Sequence, residues 1–327
     1  MAVREILPGI FQITTPTPFP VGDVHAYLLW GEPLTLVDTG LRHPPSQQAM
    51  TAALAEIGVA VTDLEQIVVS HSHMDHFGLA RRLQDESRAE VLAHPLACPK
   101  LADLNGFVAQ AITWADGLLT RAELPDDQHG WVKVFYGVIP QLAADVRVGR
   151  CLEEGDRLAA GGSEWQVLFC PGHSGDLICL YRPVDRVLLS SDHLLAHISS
   201  NALLEPPPDP RSSHRRSLIE YWHSLDRIDA LPIAHVLPGH GQVIDDHHLL
   251  LAERRRQRDR RLARILALIS ERPLTAWEIA QGLFPSLGHM DVFLALSEVI
   301  GHLDMLEAAG QVLEDDEAVG RRYRPAP

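Results

Sequence analysis

The feature that most restricts how this chain can fold is a set of histidines and aspartates placed just behind short apolar, β-branched runs. The run Gln66–Ser70 (QIVVS) leads straight into His71-Ser72-His73-Met74-Asp75-His76, so three histidines and an aspartate fall within six residues. Further along, His173 stands in Cys170-Pro171-Gly172-His173-Ser174, Asp192 in Ser190-Ser191-Asp192-His193, and His240 in Leu237-Pro238-Gly239-His240-Gly241. Each follows another apolar run. Neutral imidazole and carboxylate are ligands suited to Zn2+ or Fe. In a strand-end loop, His71 and His73 are able to converge on one ion while Asp75 and His76 turn toward a second. A lone Asp after a strand is usually a turn or a cap, and a lone His is usually ordinary. A chain that uses all of these together must bring the same ends of several strands to one place.

The rest of the pattern agrees with that demand. Candidate strands are Leu34–Asp38, Gln66–Ser70, Glu90–Ala93, Trp165–Phe169, Leu177–Tyr181, Arg186–Ser190 and His235–Leu237. Helical periodicity occupies Ser46–Ile57, Leu79–Asp85 and Ser213–Ile228. Strands alternating with helices predict α/β layers. Residues 95–150 carry weak helical periodicity and read as a mostly helical insertion between two core strands. Glu205–Pro210 (EPPPDP) is a loop, because proline cannot sustain regular structure there. From Asp246 the character changes. His247–Ile269 is a long helical pattern, followed by helices over Thr275–Phe284 and Asp291–Ala309 and strand-like pieces near Val312 and Tyr323. This predicts a catalytic domain over residues 1–250 and a small helical, winged-helix-like domain over 251–327.

The chain has 327 residues and a formal net charge of -15, which disfavours non-specific binding to nucleic acid or anionic membranes. No apolar run is long enough to span a bilayer, and the first residues lack the apolar stretch of a signal peptide. The four cysteines, Cys98, Cys151, Cys170 and Cys179, form no Cys-x-x-Cys pair and read as reduced core or near-site residues of a cytoplasmic protein. Lys100 and Lys133 are the only lysines; every other basic side chain is arginine or histidine.

The order His-x-His-x-Asp-His, then His, then Asp, then His resembles the metallo-β-lactamase superfamily, and the resemblance covers roughly residues 5–250. It implies an α/β (α+β) fold, the αββα sandwich, with the site at one edge between the two sheets. Carried over residue by residue, it implies that His71, His73 and His173 bind a first metal, that Asp75, His76 and His240 bind a second, and that Asp192 bridges them. The implied cofactor is two Zn2+, with Fe or Mn as alternatives. Val37-Asp38-Thr39-Gly40 resembles the family's early strand-end motif, in which the Asp supports the ligands from behind. Three positions depart from the usual pattern without removing a ligand: Ser70 and Cys170 stand where Thr is common, and Ser191 where Gly is common.

The resemblance implies a metal-dependent hydrolase in which water activated between two ions attacks an ester, thioester or lactone carbonyl of a small molecule. Asp75 is the catalytic residue, placed to orient that water and handle its proton. The acidic balance and the insertion, able to cap a pocket, favour a small-molecule substrate. One alternative is a single-strand RNA endonuclease, because a tail of this kind resembles that of a β-lactamase-like endoribonuclease branch and Arg254–Arg264 offers a phosphate track; nucleic acid is the less favoured partner. The other is a mononuclear iron dioxygenase of the persulfide type. A true zinc β-lactamase is disfavoured by Asp192, and a binding protein would not need so complete a ligand set. A homodimer is compatible with the sequence, and His197, Ser200 and Asn201 read as a loop at the mouth of the site.

Overall fold

Every β-branched run singled out above forms a strand in the computed structural model, which describes residues 3–207, 214–288, 291–316 and 320–327. The chain divides into two units, one of residues 1–107, 139–200 and 230–247, the other of 108–138, 201–229 and 248–327.

The first unit holds two sheets. The larger runs in the order β1 (Val3–Leu7), β2 (Ile10–Thr15), β3 (Val24–Leu29), β4 (Thr35–Val37), β5 (Gln66–Val68), β6 (Glu90–Ala93) and β7 (Arg150–Cys151). Neighbours from β1 to β4 are antiparallel, and those from β4 to β7 are parallel. The switch follows from the connections, since parallel neighbours need a crossover long enough to return to the starting edge. Helix α1 (Pro44–Glu56) lies between β4 and β5, and α2 (Met74–Phe77) and α3 (Ala80–Ser87) lie between β5 and β6. Between β6 and β7 run α4 (Cys98–Ala102), α5 (Leu104–Arg121), α6 (Asp126–Gly137) and α7 (Ile139–Leu142), so the insertion is helical as its pattern predicts. The second sheet runs β12 (His235–Pro238), β11 (Val187–Ser191), β10 (Ile178–Arg182), β9 (Ser163–Phe169) and β8 (Arg157–Ala160), with β11 and β12 parallel.

Burial explains why the central strands read as continuous apolar runs. Side chains alternate between the two faces of a strand. Tyr27, Leu29, Val37, Val68 and Leu92 point into a core shared with Trp165, Val167, Leu180 and Leu189 of the second sheet. Their neighbours Leu28, Leu36, Ile67, Val69 and Val91 point the other way, into a core shared with Met50 and Leu54 of α1 and Leu83 of α3. Trp165 is fully buried, and its indole N–H donates to the Ala160 carbonyl at 3.2 Å.

The second unit contains α8 (Ser217–Asp229), α9 (His247–Glu271), α10 (Ala276–Leu283), α11 (Val292–Ala308) and a small antiparallel sheet of β13 (Leu274–Thr275), β15 (Arg321–Pro325) and β14 (Val312–Asp316). Helix α10 starts on a reciprocal cap: Glu278 N–H donates to Thr275 Oγ1 at 3.2 Å, and Thr275 N–H donates to Glu278 Oε2 at 2.9 Å. The helix expected from Ser213 is described only from Ser217, Ser213 itself lying outside the described residues, as do Pro208–Pro210 of the expected proline loop. Strands β1, β2 and β3 were not expected from the pattern. In β3 the alternation is concealed because the strand is buried along its whole length.

Besides sharing that core, the two sheets of the first unit approach closely at one pair of turns. Gly31, just beyond β3, has φ of +128°, and a side chain there would meet the Gly161 carbonyl carbon at 2.7 Å. Gly31→Ala combines that backbone collision with a conformation close to glycine-only. It is expected to cost about 1–3 kcal/mol, lowering the melting temperature by roughly 2–4 °C per kcal/mol. Thermal unfolding of the variant checks this, and an unchanged melting temperature contradicts it.

Candidate metal centre

The seven residues predicted as ligands come together in the first unit. His71, His73 and His173 place one donor atom each within 4.8 Å of one another, and so do Asp75, His76 and His240, and His71, His76 and Asp192. The local cause is strand termination. β5 ends at Val68, and the chain then turns through His71 and His73 into α2, whose first turn carries Asp75 and His76. His173 follows β9, Asp192 follows β11 directly, and His240 follows β12.

The donor atoms are poised for cations. His71 Nε2 lies 3.0 Å from His73 Nδ1, which lies 2.9 Å from His173 Nε2. Ligand nitrogens about 2.0–2.1 Å from one zinc are brought to comparable mutual separations. The Asp192 carboxylate reaches both groups. Its Oδ2 is 3.5 Å from His173 Nε2 and 3.6 Å from His240 Nε2, and its Oδ1 is 3.4 Å from His76 Nε2. Asp75 Oδ2 is 3.4 Å from His240 Nε2. His76 Nε2, His240 Nε2 and Asp192 Oδ1 are buried and make no hydrogen bond among the described residues. Buried polar atoms are almost always satisfied, so three orphans facing one another fit a pair of metal ions.

The far side of each ring fixes which nitrogen faces the centre. His76 Nδ1 is 2.8 Å from Asp38 Oδ2, His240 Nδ1 is 2.8 Å from the Asp23 carbonyl, and His173 Nδ1 is 2.8 Å from Ser200 Oγ. His71 Nδ1 meets Ser70 Oγ at 3.1 Å and Ser191 Oγ at 3.4 Å. Asp38 anchors this layer: it also accepts from Ser70 N–H at 2.8 Å and from Ser70 Oγ at 2.7 Å. Asp38 and Ser191 both adopt left-handed backbone, φ +61° and +46°. Non-glycine residues hold such conformations where surrounding contacts over-determine them.

Electrostatics sets the donors' protonation. Burial, together with the imidazoles of His76, His73 and His173, pushes His71 well below the ordinary imidazole range, leaving it neutral. Burial alone would raise the carboxyls of Asp75 and Asp192. The His76 and His240 rings outweigh it, holding Asp75 at about 2 and Asp192 well below the usual carboxylate range. Burial opposes charge on His76, but Asp192, Asp38 and Asp75 push its pKa well above the ordinary value.

The mouth-loop residues separate. Asp192 and Ser200 both lie against the centre, so the segment 192–200 is pinned at each end. His197 is exposed near its middle, and a side chain at Gly241 would meet the His197 Nδ1 at 2.5 Å. This places the His197 ring beside the residue that follows His240. Ser200 is buried against His173, and Asn201 belongs to the second unit, where its amide donates to the Leu294 carbonyl at 3.1 Å. His193 is buried.

Three supporting residues had no signal in the sequence. Asp23 contributes only a backbone carbonyl. His25 grips the His240 loop, with its backbone N–H donating to the Gly239 carbonyl at 2.7 Å and its Nε2 2.8 Å from the Gly241 carbonyl. Buried Asp176 holds Ser72 N–H at 3.4 Å and Ser174 Oγ at 2.5 Å, beside three of the histidines.

The superfamily model for metallo-beta-lactamases matches residues 19–240, and the model for the metallo-beta-lactamase-like C-terminal domain matches residues 262–326. The chain is 34% identical over 306 residues to the probable metallo-hydrolase YqjP of Bacillus subtilis, covering 91% of this chain and 92% of that one. It is 29% identical over 202 residues to the acyl-coenzyme A thioesterase MBLAC2 of Gallus gallus, covering 62% of this chain and 65% of that one. The crystal structure of a metallo-beta-lactamase family protein from Thermus thermophilus superposes with a TM-score of 0.82 at 27% identity, covering 98% of this chain and all of that one. Match length, shared architecture and the histidine–aspartate cluster agree: the chain belongs to the metallo-beta-lactamase superfamily and is a metallo-hydrolase that carries the C-terminal domain found with that fold.

Proposed function

We propose that the protein is a dinuclear metal-dependent thioesterase acting on small acyl thioesters, of which acyl-coenzyme A is the first to test. The observation that carries this reading is the shared position of Asp192, within 3.6 Å of donors from both groups. A carboxylate placed between two sets of donors suits a pair of ions. His71, His73 and His173 would hold one ion, Asp75, His76 and His240 the other, and Asp192 both. Zinc suits this mixed imidazole–carboxylate set, with iron or manganese as alternatives. When bound, such ions supply a water acidic enough to act as a nucleophile near neutral pH and a positive charge against the substrate's carbonyl oxygen.

The chain's own residues then have definite tasks. Asp75, ionised and buried beside His240, orients the attacking water and takes its proton. No serine or cysteine nucleophile is required. His197, exposed beside Gly241 and without a hydrogen-bond partner among the described residues, offers a ring N–H to the bound substrate. The thioester preference draws on the relative named as an acyl-coenzyme A thioesterase.

The endonuclease alternative loses its main support in the second unit. Arg255 pairs with Asp226 and Asp229, Arg256 and Arg260 with Glu253, Arg258 with Asp259, and Arg261 with Glu298. Arg258 also stacks on the Trp222 ring, 4.3 Å from its centroid. Arginines already matched to carboxylates make a poor phosphate track.

Hydrolysis of acyl-coenzyme A, followed by thiol release, is expected for the metal-loaded protein, and Asp75→Asn is expected to lower kcat by about 10²–10⁴-fold, the usual worth of a positioned proton acceptor. A wild type inactive on thioesters yet cleaving single-stranded RNA contradicts the reading. His197→Ala is expected to raise KM up to about tenfold, the value of one hydrogen bond, with metal content unchanged. Identical KM values contradict the contact assigned to His197.

A further inference from the structure

Within the first unit, the helical insertion between β6 and β7 begins and ends beside two cysteines. Cys98 is the first residue of α4, Cys151 is the last of β7, and their sulfurs lie 3.4 Å apart. Cys151 is exposed and Cys98 half-buried, whereas Cys170 and Cys179 are buried. The base they mark is rigid: Cys151 pairs with Ala93 of β6, and Leu152 N–H donates to the Ala93 carbonyl at 2.9 Å. The base is also joined to the metal centre. Lys100, two residues beyond Cys98, places its ammonium 3.4 Å from Asp176 Oδ2. Asp176 in turn holds Ser72, between His71 and His73, and Ser174, next to His173.

We propose that Cys98 and Cys151 form a redox site, a dithiol that a hydroperoxide converts to a reversible disulfide closing the base of the insertion. A disulfide needs sulfurs about 2.05 Å apart, so the pair closes by about 1.4 Å. The exposed Cys151 meets the oxidant. Its sulfur attacks the peroxide, the O–O bond breaks, and a sulfenic acid and an alcohol or water result. The Cys98 sulfur then attacks the sulfenic sulfur, the S–O bond breaks, and the departing hydroxide takes the Cys98 proton to leave as water. The two thiols lose two electrons and the hydroperoxide gains them. Burial and the adjacent Cys151 push the Cys98 thiol up to about 11, so Cys98 is not the thiol that meets the oxidant first. Closing the base fixes α4, and with it the Lys100–Asp176 pair behind the three histidines.

The disulfide stands independently of the thioesterase reading; its effect on the centre rests on the metal ligation proposed above. The test uses the full-length, zinc-loaded protein treated with a small excess of hydrogen peroxide. Two thiols are expected to disappear with a mass loss of about 2 Da, a peptide cross-linked between Cys98 and Cys151 is expected in a non-reducing digest, and dithiothreitol is expected to restore both thiols. Cys151→Ser is expected to form no cross-link while keeping the fold, read by circular dichroism. Retention of all thiols, or oxidation of Cys151 to sulfinic acid with no cross-link, overturns the redox site. Zinc transfer to a chromophoric chelator is expected to be at least about twofold slower for the oxidised than for the reduced protein, since a cross-link lowers the freedom of the segment it closes. Lys100→Met is expected to abolish that difference while leaving cross-linking intact. Equal transfer rates in the wild type overturn the link to the centre and leave the disulfide confined to the insertion.

Discussion

Asp38 carries a buried carboxylate at the end of β4, in a left-handed backbone conformation, and both of its oxygens are spoken for. One accepts from the backbone of Ser70, and the other accepts from the Ser70 hydroxyl and lies 2.8 Å from His76 Nδ1. Those contacts tie the ends of β4 and β5 together and aim Nε2 of His76 at the centre. A carboxylate behind a ligand imidazole also raises its basicity and fixes its tautomer. The Ser70 hydroxyl lies 2.7 Å from that of Ser191, so the second sheet is joined to the same anchor just before Asp192. The convergence of seven donors from four strand ends therefore depends on one side chain that binds nothing itself.

Much of this was legible in the sequence because ligands carry a chemical signature. Histidines and aspartates behind apolar runs are conspicuous, and His71, His73, Asp75, His76, His173, Asp192 and His240 are brought together as that pattern requires. Asp38 was legible too, through the motif it shares with the superfamily. What stayed hidden acts through generic groups. Asp23 works through a carbonyl, His25 through its place on β3, and Asp176 through burial, none of which leaves a pattern in the chain. The same holds for the cysteines. Read as reduced core or near-site residues, Cys98 and Cys151 instead meet at the surface, because β6 and β7 are neighbours and the chain between them is a loop of helices. Strand β3 was missed for a different reason: burial on both faces erases the alternation that identifies a half-buried strand.

The arginine-rich stretch takes on a second reading once its side chains are placed. Seven arginines between Arg254 and Arg264 suggest a polyanion partner. Placed on α9, most of them neutralise carboxylates of α8, α9 and α11 within their own unit. Surface pairs of this kind contribute little stability each, and they offset part of the positive charge of the stretch. The overall negative charge of the chain points the same way. What the centre itself presents is a set of buried carboxylate and imidazole donors suited to holding metal ions.

The central claim is that seven side chains hold two metal ions through a shared Asp192. The number of divalent ions retained per chain, measured by elemental analysis of the purified protein after gel filtration in metal-free buffer, tests it most directly. Two ions per chain is the predicted result. A single ion per chain after saturation with zinc, iron or manganese would contradict it and return the centre to a mononuclear chemistry.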